Sequence, residues 1–329
     1  MNPVTWGVLS VSKHYALRVH PALREGGFAH VLALASRSGE KAREAAERLG
    51  IPRAYGSYED LLRDPDIEAV YLPLPNHLHA PWIRKAADAG KHVLCEKPFT
   101  MNAQEAADAA SHARERGVLL MEAFMYRFHP QWRRVKEIIV NGEIGGIRAI
   151  SFQQFYSNRD PRNIRNRTET GGGALYDIGS YAVSVSRFLM GAEPKRVVAL
   201  VSRDPDFGTD TLSSGILDFG RARALFTVGT ADWPGQRVEV RGTEGEIVLD
   251  LPVNMFADVP ARVEVKTRIA SRVLSLGPAD QYGLMFRAFG EAVRAGKPAP
   301  TPPEDGVANM RALDALFASE TSGGWVEVG

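Results

Sequence analysis

The sequence has little of what marks secreted, membrane-spanning or nucleic-acid-binding proteins. Its 329 residues include one cysteine, Cys95, which excludes an intrachain disulfide and favours a reducing compartment. The net charge is +1, so we expect neither nucleic-acid binding nor attraction to anionic membranes. No window approaches about 18 uninterrupted apolar residues, and no basic segment precedes a long apolar stretch near residue 1. We therefore expect a cytoplasmic protein without a membrane span or a secretion signal.

Glycine is missing from residues 8–17, VLSVSKHYAL, which follow a strand-like run and precede a helical one. A dinucleotide-binding loop in this place usually reads GxGxxG, but the three positions here are Ser10, Ser12 and Tyr15. Serine is small enough to let the backbone approach a pyrophosphate, and its hydroxyl can donate to phosphate oxygens. Tyr15 is harder to explain, because its bulk would separate the helix from the strand. From this loop alone, a nucleotide site and a purely structural sheet are equally supported.

Short apolar runs alternate with helical runs through the first 122 residues. The helix at 38–50, for example, begins at Ser38 and ends at Gly50. Strands that are apolar throughout are typical of a parallel sheet covered on both faces. We therefore predict an α/β, doubly wound parallel sheet, with apolar strands at 30–36, about 68–72 and about 91–95. Ligands of such sheets bind beyond the carboxyl ends of the strands, here at the loops 10–15, 73–79 and 96–100.

Beyond residue 124 the strand-like runs follow one another, interrupted only by a helix at 173–191 and two late helices. One pair of runs reads as a hairpin that turns at 243–245. Strands without crossover helices predict an α+β domain with a mostly antiparallel, open-faced sheet. We thus predict a dinucleotide-binding Rossmann domain at 1–122 and a substrate-binding and oligomerisation domain at 123–329. Helices would cover one face of the second sheet, and a second subunit would cover the other.

The residues after the second strand bear on cofactor choice. Ser36 and Arg37 lie about 20 residues beyond the opening loop, where an NAD site carries an acidic residue for the ribose 2′-hydroxyl. A hydroxyl followed by a guanidinium suits a 2′-phosphate instead, because arginine pairs bidentately with phosphate. This position favours NADP over NAD. The structural alternative is a solvated arginine that opens a helix.

Two further stretches carry side chains suited to chemistry. In CEKPF, Lys97 can present its ammonium to a substrate oxygen while Glu96 turns towards the nicotinamide side, and Pro98 fixes the turn. In GGGALYDIGSY, Asp177 and Tyr181 are four residues apart and share a helical face. The structural alternatives are a surface lysine at a strand end and a buried tyrosine bonded to Asp177.

The histidines show no metal-ligand spacing. His77 and His79 are two residues apart and diverge on a helix, and the others are scattered. Cys95 reads as a buried strand residue rather than a nucleophile. We expect no metal.

Seven stretches in order resemble the glucose–fructose oxidoreductase family, also called Gfo/Idh/MocA. They are WGVLS, ALASR, YLPLPNHLH, GKHVLCEKPF, MEAFMYRFHP, GGGALYDIGSY and VRGTEGEI, and the similarity runs from residue 4 nearly to the C-terminus. The branch with dihydrodiol dehydrogenases and NADP-dependent xylose dehydrogenases is the most similar. The resemblance implies a Rossmann domain followed by an open-faced sheet domain, and a homodimer or homotetramer formed through that sheet.

The resemblance also implies roles for individual residues. Lys97 would contact the reacting hydroxyl, and Tyr181 would act as the acid/base where much of the family has histidine. The expected cofactor-binding residues are Ser10, Ser12, Lys13, His14, Ser36, Arg37, Leu74, Pro75, Asn76, His79, Glu96 and Lys97. The expected substrate-binding residues are Tyr156, Asn163, Arg165, Asp177 and Tyr181, with Arg159 and Trp233 as further candidates.

These expectations combine into one hypothesis of hydride transfer between C4 of NADP and a carbinol carbon of a sugar, polyol or diol. Tyr181 would accept the hydroxyl proton, the Lys97 ammonium would lower the pKa of that phenol, and Asp177 would orient the phenol or the substrate. Two alternatives stay open. One is a nucleotide-binding sugar sensor without turnover, which the altered opening loop favours, and the other is an NAD-assisted glycoside hydrolase.

Overall fold

The computed structural model of the chain describes residues 2–329, in which two sheets belong to two separate units. The first unit comprises Met1–Met125 and Tyr282–Val307, and the second comprises Tyr126–Gln281 and Ala308–Gly329. The expected division at residue 122 differs from these units, because a late segment of the chain returns to the first unit.

A six-stranded parallel sheet forms the core of the first unit. Its strands are β1 (Val4–Leu9), β2 (Ala29–Ala35), β3 (Arg53–Tyr55), β4 (Ala69–Leu72), β5 (His92–Cys95) and β6 (Leu120–Glu122). They lie in the order β3-β2-β1-β4-β5-β6, and every pair of neighbours is parallel. The order reverses between β1 and β4, the switch point beyond which such sheets bind ligands. The predicted doubly wound sheet is confirmed, although the short β3 was not expected.

Helices connect these strands, and their ends follow the local sequence. They are α1 (His20–Gly26), α2 (Gly39–Leu49), α3 (Tyr58–Arg63), α4 (His79–Asp88) and α5 (Ala103–Glu115). The hydroxyl of Ser38 caps α2 by accepting from the backbone N–H of Lys41, and Gly50 ends it at φ +69°. Ser57 and Asn102 cap α3 and α5 in the same way.

Aromatic packing holds the late segment in the first unit. The last part of the chain forms two helices, α8 (Gln281–Ala295) and α9 (Pro303–Ser322). Phe286 and Phe289 of α8 lie 4.8 and 5.6 Å from the ring of Trp6 on β1, measured between ring centroids, and all three side chains are fully buried. The first sheet is therefore completed by residues far from it in sequence.

A nine-stranded sheet forms the second unit. Its strands are β7 (Ile147–Ser157), β8 (Arg196–Arg203), β9 (Asp210–Asp218), β10 (Arg223–Gly229), β11 (Ala231–Gly242), β12 (Gly245–Leu249), β13 (Ala261–Thr267), β14 (Ser271–Leu276) and β15 (Val326–Glu327). Their order is β14-β13-β12-β11-β7-β10-β9-β8-β15. The β7–β10 pair is parallel and the other pairs are antiparallel, so the mostly antiparallel prediction is confirmed. The predicted hairpin joins β11 to β12.

Two helices accompany this sheet, α6 (Pro130–Val140) and α7 (Ser180–Met190). The expectation that no helix lies between residues 124 and 173 was wrong, because α6 lies between β6 and β7. A π-helical turn, Leu175–Gly179, leads directly into α7. Along β7, the inward side chains Ile150 and Phe152 are fully buried and alternate with outward polar ones.

The outward face of β7–β10 carries exposed leucines. Leu200 on β8 and Leu225 on β10 are 78% and 44% exposed. A shallow depression of about 570 Å³ lies on this face, lined by residues of all four strands. We call this surface the open face.

None of the helices in residues 2–329 combines the length and apolar character that crossing a membrane requires.

The aromatic cluster around Trp6 generates a test of the first unit. Phe286→Ala should lower the free energy of unfolding by about 3–5 kcal/mol, because it leaves a cavity in a fully buried contact. Ile269→Ala, at a side chain that is 96% exposed, serves as the control and should change it by less than about 0.5 kcal/mol. Urea unfolding followed by tryptophan fluorescence measures both. Equal effects of the two substitutions would contradict the assignment of α8 to this core.

Candidate functional site

The loop after β1 begins a helical segment at the switch point of the first sheet. The hydroxyl of Ser12 accepts a hydrogen bond from the backbone N–H of Tyr15 at 3.1 Å, and its carbonyl accepts from Ala16. Ser12 thereby caps the segment that continues as the π-helical turn Tyr15–Val19. Ser10 and Ser12 are partly exposed and Lys13 is exposed. Small hydroxyl residues and a cation at a helix start are groups that bind phosphate.

The side chain of Tyr15 packs in the core of the first unit. It is 1% exposed, and its hydroxyl lies 3.0 Å from Nδ1 of His20. Nε2 of His20 donates to the carbonyl of Leu49 at 2.9 Å, so Nδ1 is the acceptor of the tyrosine proton. Tyr15 is the first residue of the π-helical turn, and its phenol is buried in the core. The bulk of Tyr15 therefore does not occupy the loop itself.

The end of β2 carries the pair predicted to read the ribose. Ser36 is buried, and its hydroxyl accepts from the backbone N–H of Ser38 at 3.3 Å. Arg37 is exposed. Burial raises the pKa of the nearby Tyr58, and the positive charge of Arg37 opposes that effect. A cation stands at this strand end where an NAD site would have a carboxylate, so the donor set fits a dinucleotide with a 2′-phosphate.

The loop after β4 is braced by His79. Its Nδ1 lies 2.8 Å from the carbonyl of Pro98, and its Nε2 lies 2.9 Å from the carbonyl of Leu74. The side chain is fully buried, and burial lowers its pKa, while the hydrogen bonds to the two carbonyls oppose that effect. His79 thus joins two of the predicted loops by hydrogen bonds, and a direct contact with the cofactor stays a prediction. Leu74 is buried and Pro75 and Asn76 are partly exposed.

Glu96 is the centre of a polar cluster at the end of β5. Its side chain is 13% exposed, and Oε1 accepts from the hydroxyl of Tyr71 on β4 at 2.5 Å. Nε2 of His14 lies 3.7 Å from the same oxygen, and the backbone N–H of Lys97 donates to Oε2 at 3.2 Å. Burial opposes ionisation, but His14, Tyr71 and the charge of Lys97 together lower the pKa of Glu96. The structure therefore brings together His14 and Glu96, and adds Tyr71.

Lys97 follows directly and is partly exposed. Its peptide bond to Pro98 is cis. The backbone at Lys97 is thus fixed from one side by the Glu96 carboxylate and from the other by the Pro98 carbonyl, which contacts His79.

In the second unit, Asp177 accepts hydrogen bonds from two predicted site residues. Its Oδ2 receives the hydroxyl of Tyr156 on β7 at 2.7 Å and Nε of Arg165 at 2.8 Å. Burial and the Asp177 charge raise the pKa of Tyr156, so that phenol stays protonated and donates. The same carboxylate raises the pKa of Arg165 and keeps its charge. We call Tyr156, Arg165 and Asp177 the Asp177 cluster.

Tyr181 lies in the first turn of α7, four residues after Asp177. It is 5% exposed, and its ring lies 6.1 Å from the ring of Tyr126 between centroids. Tyr181 lies close enough to the Arg165 guanidinium to contribute to the raised pKa of that arginine.

Asp210 positions the segment that carries Asp177 and Tyr181. Its Oδ2 accepts from the backbone N–H of Leu175 at 2.7 Å and from the hydroxyl of Ser213 at 2.8 Å. Gly173 has φ +115°, and a Cβ there would collide with the Asp210 carboxylate. The glycine run thus permits a close approach of backbone to a buried carboxylate. Sequence reasoning did not identify Asp210, because it stands about 35 residues away on β9.

Two of the three other candidates, Asn163 and Arg159, have local partners. The side chain of Asn163 accepts from the backbone N–H of Arg165 at 3.0 Å and shapes the loop before the Asp177 cluster. Arg159 pairs with the buried Asp204 at 3.0 Å. Trp233 is 90% exposed. Substrate contacts by these residues stay predictions.

Cys95 is fully buried, and burial raises the pKa of its thiol. This agrees with its interpretation as a strand residue. Across the described chain, no three histidine, cysteine or acidic side chains are placed so that they could hold a metal ion.

Comparisons with known proteins extend these observations. The family model described as "Oxidoreductase family, NAD-binding Rossmann fold" matches residues 7–124. The model described as "GFO/IDH/MocA C-terminal domain" matches residues 132–248. Together the two models cover more than half of the chain.

Individual relatives agree with the family models. D-xylose 1-dehydrogenase (NADP(+)) 2 of Haloferax volcanii is 38% identical over 98% of this chain and 99% of its own. Trans-1,2-dihydrobenzene-1,2-diol dehydrogenase of Mus musculus is 35% identical over 65% of each chain. The crystal structure of a 3-ketoreductase from Actinomadura kijaniata, in complex with NADP and TDP-benzene, matches with a TM-score of 0.91 at 33% identity, over 97% of this chain and 98% of that one.

The resemblance predicted from the sequence is therefore confirmed. The chain belongs to the Gfo/Idh/MocA family and is an oxidoreductase of CH–OH groups with an NAD(P)-binding Rossmann domain.

Proposed function

We propose that the protein transfers hydride between NADP(H) and a hydroxyl-bearing carbon of a sugar, polyol or related diol. The observation that carries this proposal is the Asp177 cluster, in which Tyr156 and Arg165 hold a carboxylate four residues before Tyr181. Such a cluster can orient a hydroxyl group and keep a phenol in place for proton transfer. Membership of the family indicates the redox reaction. Tyr181 and the Asp177 cluster would provide the orientation of the substrate and the proton transfer.

The proposed cofactor is NADP rather than NAD. Ser36 and Arg37 at the end of β2 offer a hydroxyl and a guanidinium where the ribose 2′-phosphate of NADP would lie. Ser10, Ser12 and Lys13 would hold the pyrophosphate at the start of the helical segment after β1. Among the relatives, one is an NADP⁺-dependent xylose dehydrogenase, and one is a 3-ketoreductase whose crystal structure contains NADP. Because Tyr15 is buried beneath the loop, the main argument for a non-catalytic sensor is weakened.

The nicotinamide ring of the cofactor accepts or returns the hydride when it is bound. In the oxidative direction, Tyr181 takes the proton of the reacting hydroxyl, and Lys97 donates a hydrogen bond to that oxygen. Asp177, which is held by Tyr156 and Arg165, orients the substrate or the phenol. Glu96, held by Tyr71 and close to His14, fixes the backbone of Lys97. In the reductive direction Tyr181 returns the proton.

The relatives indicate two candidate classes of substrate. One is free sugars or diols, and the other is nucleotide-linked sugars. The xylose and dihydrodiol dehydrogenases act on small free substrates, and the 3-ketoreductase was solved with TDP-benzene. An NADP(H) absorbance screen separates them, with aldoses, inositols and vicinal diols in one arm and TDP-sugars in the other. Reduction of NADP⁺ in either arm supports the proposal. Binding of NADPH without turnover in both arms would favour the sensor, and release of sugar from a nitrophenyl glycoside without net cofactor reduction would favour the hydrolase.

Cofactor choice has a specific test at Arg37. Arg37→Ala should raise the KM for NADP⁺ by about 10- to 100-fold, because it removes a charge-assisted bond to phosphate. The KM for NAD⁺ should stay within about two-fold, since NAD⁺ lacks that phosphate. Arg48→Ala, at the exposed end of α2, is the control. Equal effects on both cofactors would mean that Arg37 does not read the 2′-phosphate.

The proton-transfer role has its own test. Tyr181→Phe should lower kcat at least about 100-fold, because the general acid/base is removed. Its dissociation constant for NADPH, measured by fluorescence, should not change. Tyr126→Phe removes a neighbouring buried hydroxyl that bonds to Ser184 at 2.9 Å, and should retain most of the activity. Near-normal turnover of Tyr181→Phe would remove Tyr181 from the mechanism.

The open face is proposed as the contact between copies of the chain, in a homodimer or a homotetramer. Its exposed leucines, Leu200 and Leu225, and the depression lined by β7, β8, β9 and β10 support this proposal. A cytoplasmic location is part of the same proposal, since the single buried cysteine suits a reducing compartment.

Self-association through the open face can be tested by introducing one charge there. Leu200→Asp should dissociate the oligomer to a single chain, because a carboxylate would be buried without a partner. Ile269→Asp adds the same charge in the exposed turn between β13 and β14 and should leave the mass unchanged. Light scattering after size-exclusion chromatography gives the mass. A single-chain mass for the unmodified protein, or an unchanged oligomer in Leu200→Asp, would contradict the proposal.

A further inference from the structure

Gln154 is an unusual residue in the covered half of the second sheet. It stands on β7 between Phe152 and Tyr156, on the inward side, and is 3% exposed. Its side-chain Oε1 is fully buried and accepts no hydrogen bond from residues 2–329. An unsatisfied amide of this kind destabilises a protein by about 1–3 kcal/mol. Buried polar groups are usually bonded, so this one needs an explanation.

A matched residue lies directly opposite and shows the usual arrangement. Gln236 on β11 is the register partner of Gln154, on the same face of the sheet. Its Oε1 accepts from the backbone N–H groups of Val253 and Asn254 at 3.1 and 3.0 Å. On the other side, the register partner of Gln154 is Val228, which is apolar and fully buried. The fold therefore provides two donors for the Oε1 of Gln236 and none among the described residues for the Oε1 of Gln154.

The Asp177 cluster is the nearest polar region along the strand. Tyr156 is the next residue on the inward side of β7, and its hydroxyl donates to Asp177. Residues two apart on a strand lie about 6.5–7 Å from each other, within the span of one small polyol that contacts both. The free acceptor of Gln154 thus adjoins the groups proposed to orient the substrate.

We propose that Gln154 is a specificity-determining residue that accepts a hydrogen bond from a hydroxyl group of the sugar or diol substrate. This inference rests on the proposed function of the Asp177 cluster. A side-chain amide can accept from and donate to a hydroxyl, which a carboxylate or a guanidinium cannot do alone. The unbonded Oε1 then lowers the stability of the free protein, and a hydrogen bond from the bound substrate offsets this loss.

The proposal predicts opposite effects on stability and on binding. Gln154→Met keeps the volume and removes the buried polar group, so the melting temperature should stay equal or rise. The KM for D-xylose, or for the best sugar of the screen if xylose is not a substrate, should rise by about 10- to 100-fold. The KM for NADP⁺ should stay within about two-fold. Gln236→Met is the matched control, with a lower melting temperature and an unchanged KM for the sugar.

Two results would overturn the inference. If Gln154→Met keeps the KM for the sugar within about two-fold, the amide serves only a buried water or nothing. If its melting temperature falls as that of Gln236→Met does, the amide has a structural partner instead.

Failure of the proposed function is distinguishable from failure of this inference. If the unmodified enzyme turns over no sugar, Gln154 is tested by binding, as the rise in melting temperature with D-xylose and the other sugars of the screen at about 0.1 M. Stabilisation of the unmodified protein and Gln236→Met, but not of Gln154→Met, supports the inference without catalysis. Equal stabilisation of all three proteins, or of none, overturns it.

Discussion

The inner faces of a sheet must be apolar or fully hydrogen-bonded, and the two sheets of this chain meet that requirement differently. The parallel sheet is covered on both faces, so β1, β4 and β5 consist almost entirely of buried apolar side chains. The nine-stranded sheet has one covered face and one open face, so buried and more exposed side chains alternate along much of β7 and β10. The polar groups of the candidate site are therefore confined to strand ends in the first unit. In the second unit they also occur as exceptions in the inward rows, at Gln154 and Tyr156.

Two carboxylates show how such exceptions are maintained. Glu96 is nearly buried and receives the Tyr71 hydroxyl and a backbone N–H, and Asp177 receives a phenol and a guanidinium. A buried carboxylate without donors would be strongly unfavourable, so each one organises the residues around it. Glu96 in this way fixes the backbone beside Lys97, and Asp177 fixes Arg165 near Tyr181. The same principle singles out Gln154, where the donors are missing from the described protein.

The opening loop shows how a substitution in a motif is accommodated elsewhere. Where a glycine would allow close packing of helix on strand, this chain has Tyr15, and the helix begins with a π-helical turn. The phenol bonds to His20, whose other nitrogen bonds to Leu49. Tyr15, which in the sequence argued against a nucleotide site, is thus accommodated by burial of its side chain in the core.

Sequence patterns alone were sufficient for both sheets, the ends of α2 and the family. Apolar runs, caps and glycine stops act over a few residues, so they can be recognised without coordinates. The sequence did not predict β3, α6 or the return of α8 to Trp6, because short or late elements are stabilised by distant contacts. It also did not reveal Tyr71, Asp210 or Gln154 as polar participants. Whether a buried tyrosine, aspartate or glutamine has a partner depends on side chains from other strands, and only the folded chain brings those together.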